Sequence, residues 1–164
     1  MKPPDIPMTT GVRFLKAENI SFTPYFYEYE EHGGTQRASA ELGIAEHAVI
    51  KTLIFQTLDH RPFIVLMHGD CEASTKQLAR ILNVRSVSPC DTATAQRLTG
   101  YTVGGISPFG TRTRLDVLAE RTIFDLPDVL INGGKRGFLV KIASEDIDRA
   151  LHPRKVEVGL PQSG

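Results

Sequence analysis

Apolar and polar positions along the chain switch between the two-residue period of a strand and the three-to-four-residue period of a helix. Val12 and Leu15, with Phe14, recur at helical spacing behind Thr9 or Thr10, which predicts a short N-capped helix. An aromatic run over 22–29 predicts a strand, and Pro24 assigns it to a sheet edge. Gly33-Gly34 breaks that run, and 35–42 then predicts a helix that Gly43 ends. Two apolar runs, 49–58 and 63–67, flank Asp59-His60-Arg61-Pro62, a turn sequence that predicts a hairpin.

Ser74, with Gln77 three positions on, predicts a capping box and a helix reaching Leu82. A short strand over 84–87 follows, then a helix from the N-cap Asp91 to the stop at Gly100. Beyond the glycine-rich stretch 101–110, strands are expected over 115–118, 121–124 and 129–132. Gly133-Gly134-Lys135-Arg136-Gly137 reads as a tight turn into a strand over 138–142, and Ser144 as the cap of a last helix. Residues 1–8, with prolines at 3, 4 and 7, are expected to be an extended lead. The domain occupies 9–152, and 153–164 is expected to be a loose tail. Helices and strands intermix with hairpin-like turns, so the fold class is a single α/β domain of the α+β kind. Its sheet should be mixed or antiparallel rather than doubly wound.

Composition narrows the function. Hydrophobic residues make up 41% and charged residues 23%, a globular balance. Lys+Arg and Asp+Glu are both 19, which excludes a globally basic nucleic-acid coat but permits a basic patch on one face. Two cysteines, Cys71 and Cys90, are too few for a disulfide framework, and no Cys-x-x-Cys or Cys/His cluster is present in the sequence to mark a zinc site. Neither a signal-peptide core nor a membrane-spanning run is present. A cytoplasmic protein with no membrane or DNA partner is expected.

Familiar hydrolase and nucleotide motifs are absent: no Gly-x-Ser-x-Gly elbow, no His-Glu-x-x-His, and no Gly-x-Gly-x-x-Gly after a strand. Three features remain. Lys51 shares a strand face with Val49, Leu53 and Phe55, either as a snorkelling lysine or as a cation aimed at a phosphate or carbonyl oxygen. The loop Gly104-Gly105-Ile106-Ser107-Pro108-Phe109-Gly110 reads either as a plain hairpin loop or as a concave, pre-stiffened set of backbone donors. Arg112, Arg114, Arg121, Lys135 and Arg136 follow it, as a solvated face or as a grip on a phosphate backbone.

Three blocks, Val49-Ile50-Lys51-Thr52-Leu53, 100–110 and Ile131-Asn132-Gly133-Gly134-Lys135-Arg136-Gly137, resemble in order and spacing those of the YbaK family. These are aminoacyl-tRNA deacylases related to the editing domain of bacterial prolyl-tRNA synthetases, and the similarity runs from about Val12 to Ile147. The resemblance implies a mixed, partly barrel-like sheet with peripheral helices, and hydrolysis of the ester joining a wrong amino acid to a tRNA 3′ end. Cysteine on proline tRNA is the best-known substrate. It further implies Lys51 as the residue on which activity depends. Tyr27, Thr52, Gly104, Gly105, Ser107, Pro108, Asn132, Gly133 and Gly134 would line the substrate site, and Arg112, Arg114, Lys135 and Arg136 would touch tRNA. Tyr29 stands where cysteine-type members often carry His, and Asn132 where several carry Ser.

On this reading Lys51 holds phosphate or ribose oxygens of the terminal adenosine, and backbone N–H groups near Gly104 and Gly105 stabilise the oxyanion. A cysteinyl thiol of the substrate, or a water, attacks the carbonyl, with no metal or cofactor. Aminoacyl-tRNA is the expected partner, with a prolyl-tRNA synthetase as a possible second one. Three alternatives stay open: a deacylase for Ala, Ser or Thr; a non-catalytic module that binds a tRNA 3′ end or a synthetase; and a carboxylate- or nucleotide-binding protein.

Overall fold

The computed structural model describes residues 5–162 and has the expected mixed architecture, a partly barrel-like sheet with helices at its periphery. In chain order the elements are α1 (Thr10–Ala17), β1 (Thr23–Phe26), α2 (Gly34–Leu42), β2 (Val49–Thr57), β3 (Pro62–His68), β4 (Cys71–Ala73), α3 (Thr75–Leu82) and β5 (Val87–Pro89). They continue as α4 (Thr92–Thr99), β6 (Asp116–Glu120), β7 (Asp128–Lys135), β8 (Phe138–Ala143), α5 (Ser144–Leu151), β9 (Arg154–Val156) and β10 (Gly159–Pro161). The main sheet runs β1-β8-β7-β2-β3-β6-β9, with β5 also on β2, while β4 and β10 form a separate antiparallel pair. β2–β7, β3–β6 and β6–β9 are parallel, and the other pairs are antiparallel.

Helix starts follow the capping logic. Thr9 Oγ1 accepts from the Val12 N–H at 3.0 Å, Ser74 Oγ from Gln77 at 3.1 Å, and Asp91 Oδ1 from Thr94 at 2.7 Å. Only half of the capping box forms, because the Gln77 side chain turns to accept from Arg80. Alternation along β2 divides the core. Ile50 and Ile54 join the largest cluster, with Leu15, Leu66, Phe109 and Ile131. Phe55 joins a second with Phe63, Met67 and Leu78, and Val49 a third with Leu130 and Leu139.

Several expectations are corrected. Residues 121–124 form a 3₁₀ turn, Arg121–Asp125, rather than a strand; Ile123 plugs the core and its carbonyl accepts from Leu126. The strand expected over 84–87 shifts to β5, because Asn83 takes the left-handed conformation and Val84 N–H donates back to Ala79 as part of the α3 terminus. The strand expected over 22–29 stops at Phe26, where Tyr27 N–H turns to Gly137. Ser144 opens α5 instead of capping it, and its hydroxyl donates to Leu126 O.

Most consequentially, the described part of the segment after Pro153 is not loose. β9 extends the sheet beside β6, β10 pairs with β4, and Val156 and Val158 are buried. The lead prolines at 3 and 4 lie outside the described residues.

Buried Glu120 clamps the C-terminal segment, its carboxylate accepting from Val158 N–H at 2.8 Å and Gly159 N–H at 2.7 Å. Glu120→Ala orphans those donors and should lower unfolding free energy by about 1–3 kcal/mol in urea titration. Glu120→Gln keeps an acceptor oxygen and should lose less.

Candidate functional site

β2 is bordered along one edge by β3 from Ile50 to Gln56. Its other edge is shared. β7 takes Val49 and Ile50, and β5 takes Phe55 through Thr57. Between these partners the sheet forks, and Lys51, Thr52 and Leu53 have no ladder partner on that edge among the described residues. At the fork Thr52 Oγ1 is buried and finds no hydrogen-bond partner in the protein. A hydroxyl in that condition is destabilising unless something else bonds it.

Lys51 lies on the opposite face to Ile50 and Thr52, at the boundary between the second and third clusters. Its Nζ donates to the Cys71 carbonyl, leaving two ammonium donors free for another acceptor. Burial pulls its pKa down, and Glu46, Cys71, Glu72 and Asp70 partly offset this.

Behind the Cys71 carbonyl lies a group with no signature in the sequence. His47 Nδ1 is 2.9 Å from Asp70, and Cys71 Sγ donates to Asp70 at 3.5 Å. The His47 and His68 rings stack at 3.6 Å. His68 Nδ1 bonds the His47 carbonyl at 2.6 Å; a carbonyl can only accept, so that nitrogen carries the proton and Nε2 accepts from Thr122 Oγ1. Burial also depresses the His68 pKa. Donor atoms of His47, Asp70 and Cys71 lie within 4.8 Å of one another and could hold a metal ion. Burial, then Asp70, pushes the Cys71 thiol up, so coordination there would release its proton. No periodicity links positions 47, 68, 70 and 71; the β2–β3 hairpin and the turn into β4 bring them together.

A second wall of the fork comes from the glycine loop and the β7–β8 turn. Asn132, one position beyond the last β2–β7 register pair, is on the Lys51 side of β7. Asn132 Oδ1 accepts from Gly134 N–H at 2.6 Å and Lys135 N–H at 3.1 Å, while Nδ2 donates to Gly104 O at 3.3 Å. Asn132 therefore shapes the bulged turn and ties the loop to it. Gly105 has no room for a side chain, since a Cβ would sit 2.6 Å from Arg136 N. Arg136 Nε donates to Val103 O at 2.9 Å, and its guanidinium lies 4.8 Å from the centre of the Tyr29 ring.

On the inner side, Thr10 Oγ1 donates to Tyr101 OH at 2.8 Å, which donates to Phe109 O. Ser107 is fully buried and accepts from Phe109 N–H at 3.2 Å, and Pro108 is buried with it. Both brace the loop from inside. Gly133 is likewise buried, and its carbonyl accepts from Thr9. The Gly105 N–H already donates to Thr102 O at 2.8 Å, so it is not a free oxyanion donor.

The fold thus places Lys51 and Thr52 at the fork, and Gly104, Gly105, Asn132, Gly134, Lys135 and Arg136 in one wall. Tyr27 packs half-buried in the third cluster beside Gly137. Arg112 and Arg114 are exposed beyond the loop, whereas Arg121 is paired with Glu157 and leaves the basic set.

Comparison with known proteins adds identity to this geometry. Residues 30–150 match the sequence model of the aminoacyl-tRNA editing domain. Enterococcus faecalis "Putative Cys-tRNA(Pro)/Cys-tRNA(Cys) deacylase EbsC" is 24% identical over 140 residues, covering 85% of each chain. A proline–tRNA ligase of Streptococcus equi subsp. zooepidemicus is 30% identical over 100 residues, 61% of this chain but only 16% of the ligase. Among solved structures, hypothetical protein APE2540 superposes with a TM-score of 0.84 at 20% identity, covering 92% of this chain and 99% of that one. "A putative trans-editing enzyme for prolyl tRNA synthetase" gives 0.82 at 15% identity, covering 97% and 100%.

The unpartnered hydroxyl gives a stability test of the fork. Thr52→Val removes a buried, unsatisfied group at nearly constant volume and should leave urea stability unchanged or raise it by about 1 kcal/mol. A loss above about 1 kcal/mol would show that the hydroxyl serves the fold instead.

Proposed function

Since the chain belongs to the aminoacyl-tRNA editing domain family, we propose that it is a hydrolase acting in trans to remove a wrong amino acid from mischarged tRNA, with cysteine on proline tRNA as its substrate. The observation that carries this reading is Lys51, half-buried at the fork, with one ammonium hydrogen bond to the Cys71 carbonyl and two donors to spare. Similarity to EbsC, whose name specifies Cys-tRNA(Pro), supports the choice of amino acid. A prolyl-tRNA synthetase is the proposed delivering partner.

Aminoacyl esters are activated already, so holding one in a fixed pose accounts for much of the acceleration. Lys51 binds phosphate or ribose oxygens of the terminal adenosine and neutralises their charge. The Gly104 carbonyl and the β7–β8 turn, held by Asn132, shape the wall against the amino acid. With a cysteinyl ester, the substrate sulfur attacks its own carbonyl carbon and the bond to the ribose 3′ oxygen breaks. The thiol proton passes to that oxygen, and water then opens the released thioester.

The reading in which alanine, serine or threonine is removed has its own support. Tyr29, stacked by Arg136 and pressed against Gly104, stands where the family resemblance often places a His in cysteine-type members. A bound water would then be the nucleophile.

Proline tRNA charged separately with Cys, Ala, Ser, Thr and Pro tests both readings. Lysine-dependent loss of the cysteinyl ester, with the prolyl ester spared, is expected. Lys51→Ala should cut the rate by about 100-fold or more while the thermal melt stays close to that of the parent. Deacylation of none of the five by the parent protein would reject the hydrolase reading.

The pH profile gives a separate check. Because burial lowers the Lys51 pKa, the ammonium is lost as pH rises through a value below that of an exposed lysine. The enzyme-dependent rate should therefore fall on the alkaline side earlier than titration of a free lysine would allow.

A further inference from the structure

The basic residues near the glycine loop do not exhaust the cations on the substrate side. α3 packs on the sheet face that carries Lys51, since Leu78 and Ala79 share a cluster with Phe55, and Leu53 packs against it. Between α3 and β5 lies an open groove of about 380 Å³ whose lining includes Lys76, Arg80 and Arg85 with the hydroxyl residues Thr75 and Ser86, and no acidic residue. All three cations are exposed, and none has a carboxylate within 4.0 Å among the described residues. This sets them apart from Arg37, Arg61, Arg121, Arg149 and Lys155, which are all ion-paired. Arg154 adds a fourth positive charge, reaching the Ile81 carbonyl on α3 at 3.5 Å.

Such a groove focuses positive potential on one wall of a chain whose net charge is zero. Position selects its ligand. Val87, in the groove wall, pairs with Thr57 of β2. From Lys51 to Thr57 is six residues of extended strand, about 20 Å. A tRNA presents a few unpaired nucleotides before the phosphates of its acceptor stem begin, a span of that scale. We propose that the α3–β5 groove binds RNA phosphates, holding the acceptor stem through Lys76, Arg80 and Arg85 while the 3′ end lies at Lys51. This rests on the deacylase reading for the identity of the RNA. The groove contacts backbone only, so it contributes affinity and orientation rather than sequence choice.

The test compares the parent with a Lys76→Gln, Arg80→Gln, Arg85→Gln variant of the full chain. Binding of uncharged proline tRNA is titrated from low to moderate salt. Each lost phosphate contact removes about 0.7–0.9 from the slope of log K against log salt, so the variant's slope should be shallower by about 2. Its affinity at low salt should be at least about 10-fold weaker. In parallel, deacylation of full-length Cys-tRNA is compared with that of a cysteinyl ester of the terminal trinucleotide alone. The variant should lose at least about 10-fold in kcat/KM on the full tRNA and nothing on the short ester, with an unchanged melt. An unchanged salt slope, or equal losses on both substrates, would overturn the groove as an RNA site. It would leave an acidic protein surface as its ligand. If the parent cleaves neither ester, the choice of cysteine fails, and the salt slopes decide the groove on their own.

Discussion

One strand must serve three neighbours, and the rest of the molecule is arranged around that demand. β2 gives Ile50 through Gln56 to β3 on one edge and divides the other between β7 and β5. Buried backbone groups have to be paired. Pairing resumes where the Cys90 N–H reaches the Ile54 carbonyl at 2.9 Å. Lys51, Thr52 and Leu53 are left at the divide. The alternation that sends Ile50 and Ile54 into the main core also sends Lys51 to the seam between two smaller clusters. A lysine there keeps its charge at a cost, which the Cys71 carbonyl reduces by accepting one of its hydrogen bonds. Held by its stem and one anchor, the ammonium has little freedom left to lose on binding a ligand.

The facing wall is built on a different principle, the removal of side chains. Gly104 has φ +95 and Gly134 φ +109, and a Cβ on either would lie 2.7 Å from a tyrosine, Tyr29 or Tyr101 respectively. Glycine is required at both places for conformation and for space. Asn132 then supplies from one side chain the bonds that the bulged turn and the loop cannot make for themselves. The outer surface is closed by the Arg136–Tyr29 stack and the inner one by Tyr101 and Ser107. A wall fastened on both sides presents a fixed shape, and shape is what separates small amino acids differing by little more than a methylene or a hydroxyl.

The local grammar of the chain was legible in its sequence. Thr9, Ser74 and Asp91 cap the helices they precede, and the β2–β3 hairpin sits where its turn residues put it. The larger failures depended on partners distant in sequence. Residues 121–124 have strand-like composition but become a 3₁₀ turn that delivers Ile123 to the core and Thr122 to His68. The segment after Pro153 has few apolar residues, and it is ordered by the Glu120 carboxylate and the free edges of β6 and β4. At the site, Lys51 stood out by its place in an apolar strand and the glycine loop by its composition, whereas Ser107 and Pro108 brace the loop from beneath it. The fork itself, and the His47–Asp70–Cys71 group beside it, exist only because of sheet topology.

The long-range pairings also impose an order of assembly. Thr9 is fastened to Gly133 across 124 positions, β1 pairs with β8, and β2 meets β7 only after some eighty residues have intervened. A chain emerging from the ribosome can close the β2–β3 hairpin early, but Lys51 has no opposing wall until β7 and β8 have followed. Non-local pairing of this kind slows folding, because loop closure must precede the contacts that reward it. The candidate site therefore forms only once β7 and β8 have been made, so a copy cut short before Asp128 has Lys51 but no wall facing it.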